Sequence, residues 1–412
     1  MIDDSLMLGF TAPLRVADGG LLMVEEQTVS GLRAWREHFG HVSAYAISAE
    51  GASPQGWAAV DPKALADEGI EIVPLPNTYD RKINREHGSE VSARLLGLMQ
   101  KTRYHTFGYG GWIGDPGEIA AATARRHGIA HAVWFDRVES QVIRSTADSS
   151  LTGRAKSAIK AAIVERNERR AVRGADLSLL HGATVFNHFK NIARNPHLVE
   201  DVHFTDADRL TPDLLDAKIT ATAQGPLRIL YVGRAAPMKG PFDWLKILAG
   251  LKANGVDFTA RWVGDGELLD EMRNFASQNG LSGDDLHLEG FVSDRDTVRQ
   301  FYRDAHVQLF CHLTDESPRN LIESLHSATP LVGYSDPFAS GLVGEKDGGL
   351  LVQRGSTTDL IEALSGLARD RSKLADLIAR AGASAAHLTR DNVFRHRSEI
   401  IRSQMPPARK TA

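Results

Sequence analysis

Two short segments of the chain combine cations, glycine and carboxylates at a spacing that suits chemistry. The first runs Tyr231-Val232-Gly233-Arg234-Ala235-Ala236-Pro237-Met238-Lys239-Gly240 and joins the end of an apolar run to the start of a helical pattern. Gly233 lets a ligand approach the backbone closely, Arg234 can fork onto two phosphate oxygens, and Lys239 adds a compact point charge. The helix that follows would turn its first amides toward an anion. A diphosphate fits this arrangement, although Arg and Lys beside a turn are more often simply solvated. The second segment, Asp315-Glu316-Ser317-Pro318-Arg319-Asn320-Leu321-Ile322-Glu323, follows another apolar run. Ser317 suits an N-cap and Pro318 the first helical position, which would leave backbone amides facing a crevice. Glu323 can accept two hydrogen bonds from the vicinal hydroxyls of a ribose, and Asp315 or Glu316 can do the same for a sugar. Acids at a helix start also complement its dipole without any ligand. That account covers Asp315 and Glu316 better than Glu323, which lies deeper among Leu321, Ile322 and Leu325, all of which read as buried.

The elements that must position these residues follow from the apolar pattern. Short runs of Val, Ile and Leu alternate with segments of helical period, the pattern of parallel strands covered by helices in the α/β class. In the second half, strands are expected at Leu227 to Val232, Phe258 to Val263, Leu286 to Leu288, Val307 to Cys311 and Pro330 to Tyr334, with helices over Phe242 to Ala253 and Glu267 to Asn279. The first half alternates less cleanly, with strands expected at Ala44 to Ser48, Ile70 to Leu75, Ile129 to Phe135 and Leu177 to Leu180. The polar stretch ending in Gln224-Gly225-Pro226 suggests an interdomain linker. The expected division is therefore a first domain over 1–205, a linker over 206–226, a second domain over 227–385, and a C-terminal helix and tail over 386–412.

Composition narrows the function. A chain of 412 residues with 42% apolar residues is long for one core, so two domains are expected. A formal net charge of -4 supplies no global positive field, so nucleic acid is not an expected partner. The single cysteine, Cys311, lies in an apolar run and reads as a buried thiol. Asp3 and Asp4 stand where a secretory signal would carry positive charge, and no apolar run is long enough to cross a bilayer. A cytoplasmic location is expected, with peripheral membrane contact through 154–173 as an added reading. That segment carries Arg154, Lys156, Lys160, Arg166, Arg169, Arg170 and Arg173, with Ile159, Ala162 and Ile163 on another face. Such a helix can rest on anionic lipid. A solvated face is the simpler account, because Glu165 precedes Arg169 at ion-pair spacing.

The second half resembles the large retaining glycosyltransferase family four, the group 1 glycosyl transferases. The resemblance rests on Gly233-Arg234 with Lys239-Gly240, on Val263-Gly264-Asp265-Gly266-Glu267-Leu268, on Gly290-Phe291-Val292, and on the acidic turn with Glu323. It covers roughly Leu227 to Gly382 and extends only loosely to the first half. It implies the GT-B fold, two facing Rossmann-like domains with a cleft between them. It also implies transfer of a hexose-type sugar from a nucleoside-diphosphate sugar to a hydroxyl acceptor, a saccharide or glycolipid, with retention and with no obligatory cofactor or metal. By that resemblance Arg234 and Lys239 neutralise the diphosphate, and Glu323 holds the ribose within a donor site that includes Gly233, Gly264, Leu321 and Ile322. The family's Glu-x7-Glu pair places its first acid at Asp315, whereas the nearest glutamate is Glu316. Glu316 is favoured as the sugar contact, with Asp315 as the alternative.

In the first half, Asp18-Gly19-Gly20 resembles the family's glycine loop near the donor phosphates. The run from His105 to Gly114, with Phe107, Tyr109 and Trp112, suits a mobile loop that stacks on a sugar, or equally a loop whose aromatics anchor in the core. His105 is the nearest candidate for the family's sugar-contacting histidine. Asp136 and Glu139 are further candidates for the cleft, unless Arg137 pairs with one of them. Among rival functions, a nicotinamide enzyme lacks the third glycine of its fingerprint, and the P-loop, zinc-protease and nucleophile-elbow motifs are absent. A nucleotide-sugar epimerase of the same fold and a non-catalytic nucleotide-sugar-binding protein stand as alternatives.

Overall fold

A computed structural model of the chain describes residues 4–51, 53, 56–145, 150–281, 283, 285–344 and 346–406. The tail beyond residue 406 lies outside them. The chain divides into two compact units, Met1–Asp201 with Asp391–Ala412, and Val202–Arg390. The stretch 206–226, read above as a linker, falls within the second unit and contains the helix Pro212–Ala221. Its Lys218 is buried, and the ammonium donates to Ser327 O at 2.8 Å, Tyr302 O at 3.1 Å and Thr329 Oγ1 at 2.6 Å. Three acceptors meet all three donors of the ammonium. A polar composition therefore marks the buried anchor of a helix here, not a free connection.

In the first unit a seven-stranded parallel sheet has the spatial order Pro196–Val199, Leu177–His181, Ala132–Phe135, Tyr104–Gly108, Ser5–Gly9, His41–Ile47, Ile70–Leu75. A small antiparallel sheet of Arg15–Val16, Leu22–Glu25 and Trp57–Val60 is added to it. In the second unit the order is Leu286–Gly290, Phe258–Val263, Leu227–Val232, Val307–Phe310, Leu331–Tyr334, Gly349–Val352, again parallel throughout. Counted along the chain this is 3-2-1-4-5-6, the doubly wound order of a Rossmann-like domain. Helices cover both faces, which is why the strands read as continuous apolar runs. Leu227, Val307, Leu309, Leu331 and Val332 have no accessible surface.

In each sheet the order of the strands reverses at a switch point, between Leu227–Val232 and Val307–Phe310 in the second unit and between Ser5–Gly9 and Tyr104–Gly108 in the first. Ligands of open α/β sheets bind outside the strand carboxyl ends at such points. The C-terminal helix Arg390–Gln404 returns to the first unit, where Ile400 and Ile401 join its core.

Candidate functional site

At the switch point of the second unit, two turns are knitted together before any side chain is considered. Gly233 N donates to Val263 O at 2.8 Å, Ala235 N to Asp265 O at 2.9 Å, and Leu268 N to Ala235 O at 3.0 Å. A Cβ on Gly264 would lie 2.1 Å from Gly233 O, and its φ is 144°, so glycine is required there by both space and backbone. This packing leaves Arg234 exposed at the carboxyl edge with no ion-pair partner among the described residues.

The loop Gly233 to Gly240 is also held against the loop that follows Val307–Phe310. Leu313 N donates to Met238 O at 2.8 Å, and a Cβ on Gly240 would meet Cys311 O at 2.1 Å. The contact brings Lys239, 9% exposed, onto Glu316: the ammonium bonds Oε2 while Thr314 Oγ1 donates to Oε1 at 2.9 Å. Asp315 turns the other way and pairs with Arg354, just beyond the strand Gly349–Val352. The two adjacent carboxylates thus have separate cations. Beneath them, Tyr231 and His312 are buried and lie 3.0 Å apart, oxygen to Nε2. Burial, with Lys239 and Arg354 nearby, holds the His312 imidazole well below its usual pKa, so it is neutral.

The helix over the second acidic segment is Arg319–His326, with Pro318 at the N-cap and no side-chain capping bond. It begins two residues after Ser317, the expected cap. Its start is fixed by Asn320, whose Nδ2 bonds Val232 O at the end of the first strand. Glu323 therefore lies just over one turn in, half-buried, accepting from Tyr302 Oη at 3.4 Å. Burial raises the pKa of its carboxyl, while Arg319, Arg295 and Arg299 oppose the rise. Leu321 and Ile322, expected in the donor site, point into the core with no accessible surface, and Leu321 N donates to Pro318 O. Arg354, Asn320, Tyr302 and His312 were not singled out from the sequence. Only Asn320 lies within a segment whose spacing drew attention.

The first-unit candidates do not converge. Gly19 and Gly20 sit at the tip of the hairpin Arg15–Val16 and Leu22–Glu25, with φ of 78° and 82°, so they turn a hairpin and do not open the helix Glu26–Arg36. His105 is buried inside the strand Tyr104–Gly108 and not at its end. Its ring nitrogens lie 2.9 Å from Ala130 O and 3.0 Å from Met99 O. It serves the sheet, and a sugar contact at this histidine finds no support in its position. The segment read as a mobile loop is half strand, and its remainder is pinned, with Gly110 N on Asp115 Oδ2 at 2.9 Å and Thr78 Oγ1 on Gly114 O at 2.6 Å. Tyr109 packs on Phe135 with ring centroids 5.0 Å apart. The Lys160 ammonium stands 4.8 Å over the Trp112 ring. Glu139 pairs with Arg137 at 2.7 Å, and exposed Asp136 accepts from Trp134 Nε1.

Among the described residues no group of three or more His, Cys, Asp or Glu side chains is placed to hold a metal ion, and no helix is long and apolar enough to cross a membrane. Residues 215–383 match the sequence profile of the family described as glycosyl transferases group 1. That segment is similar to the group 1 glycosyl transferases.

The matched segment contains Arg234, Lys239, Glu316 and Glu323 together. No curated protein matches the chain by sequence. Over the whole chain the fold is GT-B. HepE from Anabaena, solved with UDP, aligns at a TM-score of 0.67 with 15% identity, over 97% of this chain and 100% of its own. Sucrose-phosphate synthase from Thermosynechococcus elongatus aligns at 0.67 with 14% identity, over 97% and 98%. WaaG, a glycosyltransferase involved in lipopolysaccharide biosynthesis, aligns at 0.66 with 13% identity, over 97% and 100%. At these identities the likeness is one of fold.

Proposed function

We propose that the chain transfers a hexose-type sugar from a nucleoside-diphosphate sugar to a hydroxyl acceptor, with retention at the anomeric carbon. The observation that carries the reading is the pairing of Lys239 with Glu316 at the switch point of the second sheet, on the same loop as the exposed Arg234 and inside the matched segment. Arg234 is free to take the diphosphate and Lys239 is held beside it, so charge growing on the departing phosphate meets donors already in place. Preorganised charge of this kind is commonly the largest catalytic contribution. In this reading Lys239 exchanges Glu316 for phosphate when the donor binds, and the released carboxylate turns to the sugar hydroxyls. Glu323 accepts from the ribose, and Asp315 stays with Arg354. The acceptor is a saccharide or glycolipid, and the reaction needs no obligatory metal because protein cations neutralise the donor. The retention and the hexose rest on the family resemblance.

UDP is the first nucleotide to test, since HepE was solved with it and with UDP-glucose. A ligand that binds only the folded state raises the melting temperature. UDP is expected to raise it in the wild-type protein. Arg234→Ala and Lys239→Ala are each expected to lower turnover about a hundredfold or more with the fold intact. Full activity in both variants would remove the phosphate site from these residues. Inversion at the anomeric carbon, or strict dependence on magnesium, would overturn that part of the reading.

A further inference from the structure

The first unit has a switch point of its own, and nothing above gives it a ligand. The strands Ser5–Gly9 and Tyr104–Gly108 both end there in glycine. Tyr45, paired with Gly9 across the sheet, lays its ring over that glycine: a Cβ there would lie 2.5 Å from the Tyr45 hydroxyl. Tyr45 is 1% exposed and its hydroxyl has no hydrogen-bond partner among the described residues. A buried hydroxyl without a partner is costly, so its retention calls for a reason. Tyr45, Tyr79, Asp115, Gly9 and Gly108 line a niche of about 10 Å³, room for one water-sized group.

The charge around the niche selects what enters it. Asp115 caps the helix Pro116–Arg126, accepting from Glu118 N at 3.0 Å with Oδ1, and from Tyr79 Oη at 2.7 Å and Gly110 N at 2.9 Å with Oδ2. The helix start that would otherwise attract an anion already has the protein's own carboxylate. A phosphate or carboxylate entering here would meet like charge. A neutral hydroxyl would meet none, and it can both donate to and accept from a phenol. From this geometry we infer that the niche at Tyr45 is a subsite for a single uncharged hydroxyl group of a polyol or saccharide acceptor, closed to anionic substituents. The inference rests on the proposed transferase reading for the word acceptor, while the niche itself lies wholly in the first unit.

The test uses the full chain and Tyr45→Phe, which removes one oxygen and keeps the ring. Loss of an unpartnered buried hydroxyl is expected to raise the melting temperature of the free protein by about 2–4 °C. Tyr79→Phe, which takes a donor from Asp115, is expected to lower it. Calorimetric titration of methyl α-glucopyranoside in the presence of UDP is expected to give about tenfold weaker binding in Tyr45→Phe, with the UDP affinity unchanged and no binding of glucose 6-phosphate at this site. An unchanged or lower melting temperature in Tyr45→Phe would mean that a fixed water already serves the hydroxyl, and would overturn the inference. Equal pyranoside affinity in wild type and variant would overturn it too, as would the absence of pyranoside binding in both. Failure of UDP to bind, with the pyranoside still distinguishing the two proteins, would sink the donor reading and leave the niche standing.

Discussion

At the residue scale, Lys239 and Glu316 hold one another in the free protein, with side chains 11% and 17% exposed. A pair this sheltered has lost much of its water, and removing one partner leaves the other seeking a replacement. Glu316→Gln therefore releases Lys239 for an anion. The variant is expected to bind UDP severalfold more tightly while its turnover with a complete donor falls at least tenfold, because the carboxylate assigned to the sugar is gone. Titration of UDP beside single-turnover kinetics separates the two effects. Unchanged turnover would move the sugar contact to Asp315, the alternative acid, which the structure ties to Arg354.

At the scale of elements, the site depends on turns that tolerate no bulk. Gly264→Ala would drive a methyl group to 2.1 Å from Gly233 O at a φ of 144°. Strain of this kind costs about 1–3 kcal/mol before the clash is counted. A fall of several degrees in melting temperature and weakened UDP binding are the expected outcomes, and wild-type behaviour in both would show that the two turns are not knitted as described. The helix Leu151–Gly174 poses a different question. Its inner face is Ala161, Val164, Ala171 and Val172, while Ile159 and Ile163 stand outside it, 64% and 39% exposed, among the exposed basic residues Lys156, Lys160 and Arg166. Arg169 is drawn into an ion pair with Glu165 at 3.0 Å, as its spacing suggested. Contact of this face with anionic lipid predicts sedimentation with vesicles rich in phosphatidylserine at low salt, weaker as salt is raised and lost in Ile159→Glu. No sedimentation of the wild-type protein at low salt would end that reading.

At the scale of the molecule, the chain leaves its first unit after Asp201 and re-enters at Asp391. Arg397, on the returning helix, lies 3.3 Å from Asp201 and beside the rings of Trp35, Trp134 and Phe394. Exit and return are thereby joined by a buried cation. Next to this joint, burial pushes Glu200 up to about 8, with the charge of Asp201 adding to the rise and Arg397 opposing it. An acid whose folded pKa lies above its unfolded value contributes stability that is present below the ordinary glutamate range and is lost as pH rises through about 8. Thermal melts should therefore decline between pH 5 and 9, and Glu200→Gln should flatten the decline and melt higher than wild type at pH 9. Parallel curves for the two proteins would exclude Glu200 as the group responsible.

The sequence by itself determined the class of the fold and the polar ends of the second domain. Parallel strands buried on both faces carry their signal locally, so Leu227–Val232, Phe258–Val263 and Ile70–Leu75 were legible to the residue. Arg234, Lys239 and Glu316 lie in the loops that follow Leu227–Val232 and Val307–Phe310, and their types and spacing made them candidates in the sequence. The short strand Ser5–Gly9 and the strand containing His105 were not, because a few residues beside glycine and polar side chains carry too little period to separate strand from loop. Only the tertiary structure decided which charge meets which. Lys239 and Glu316 are 77 residues apart and Asp315 and Arg354 are 39 apart; each pairing follows from which strands lie side by side. Strand order is set by how whole helices pack across the sheet, and no local run of residues records it.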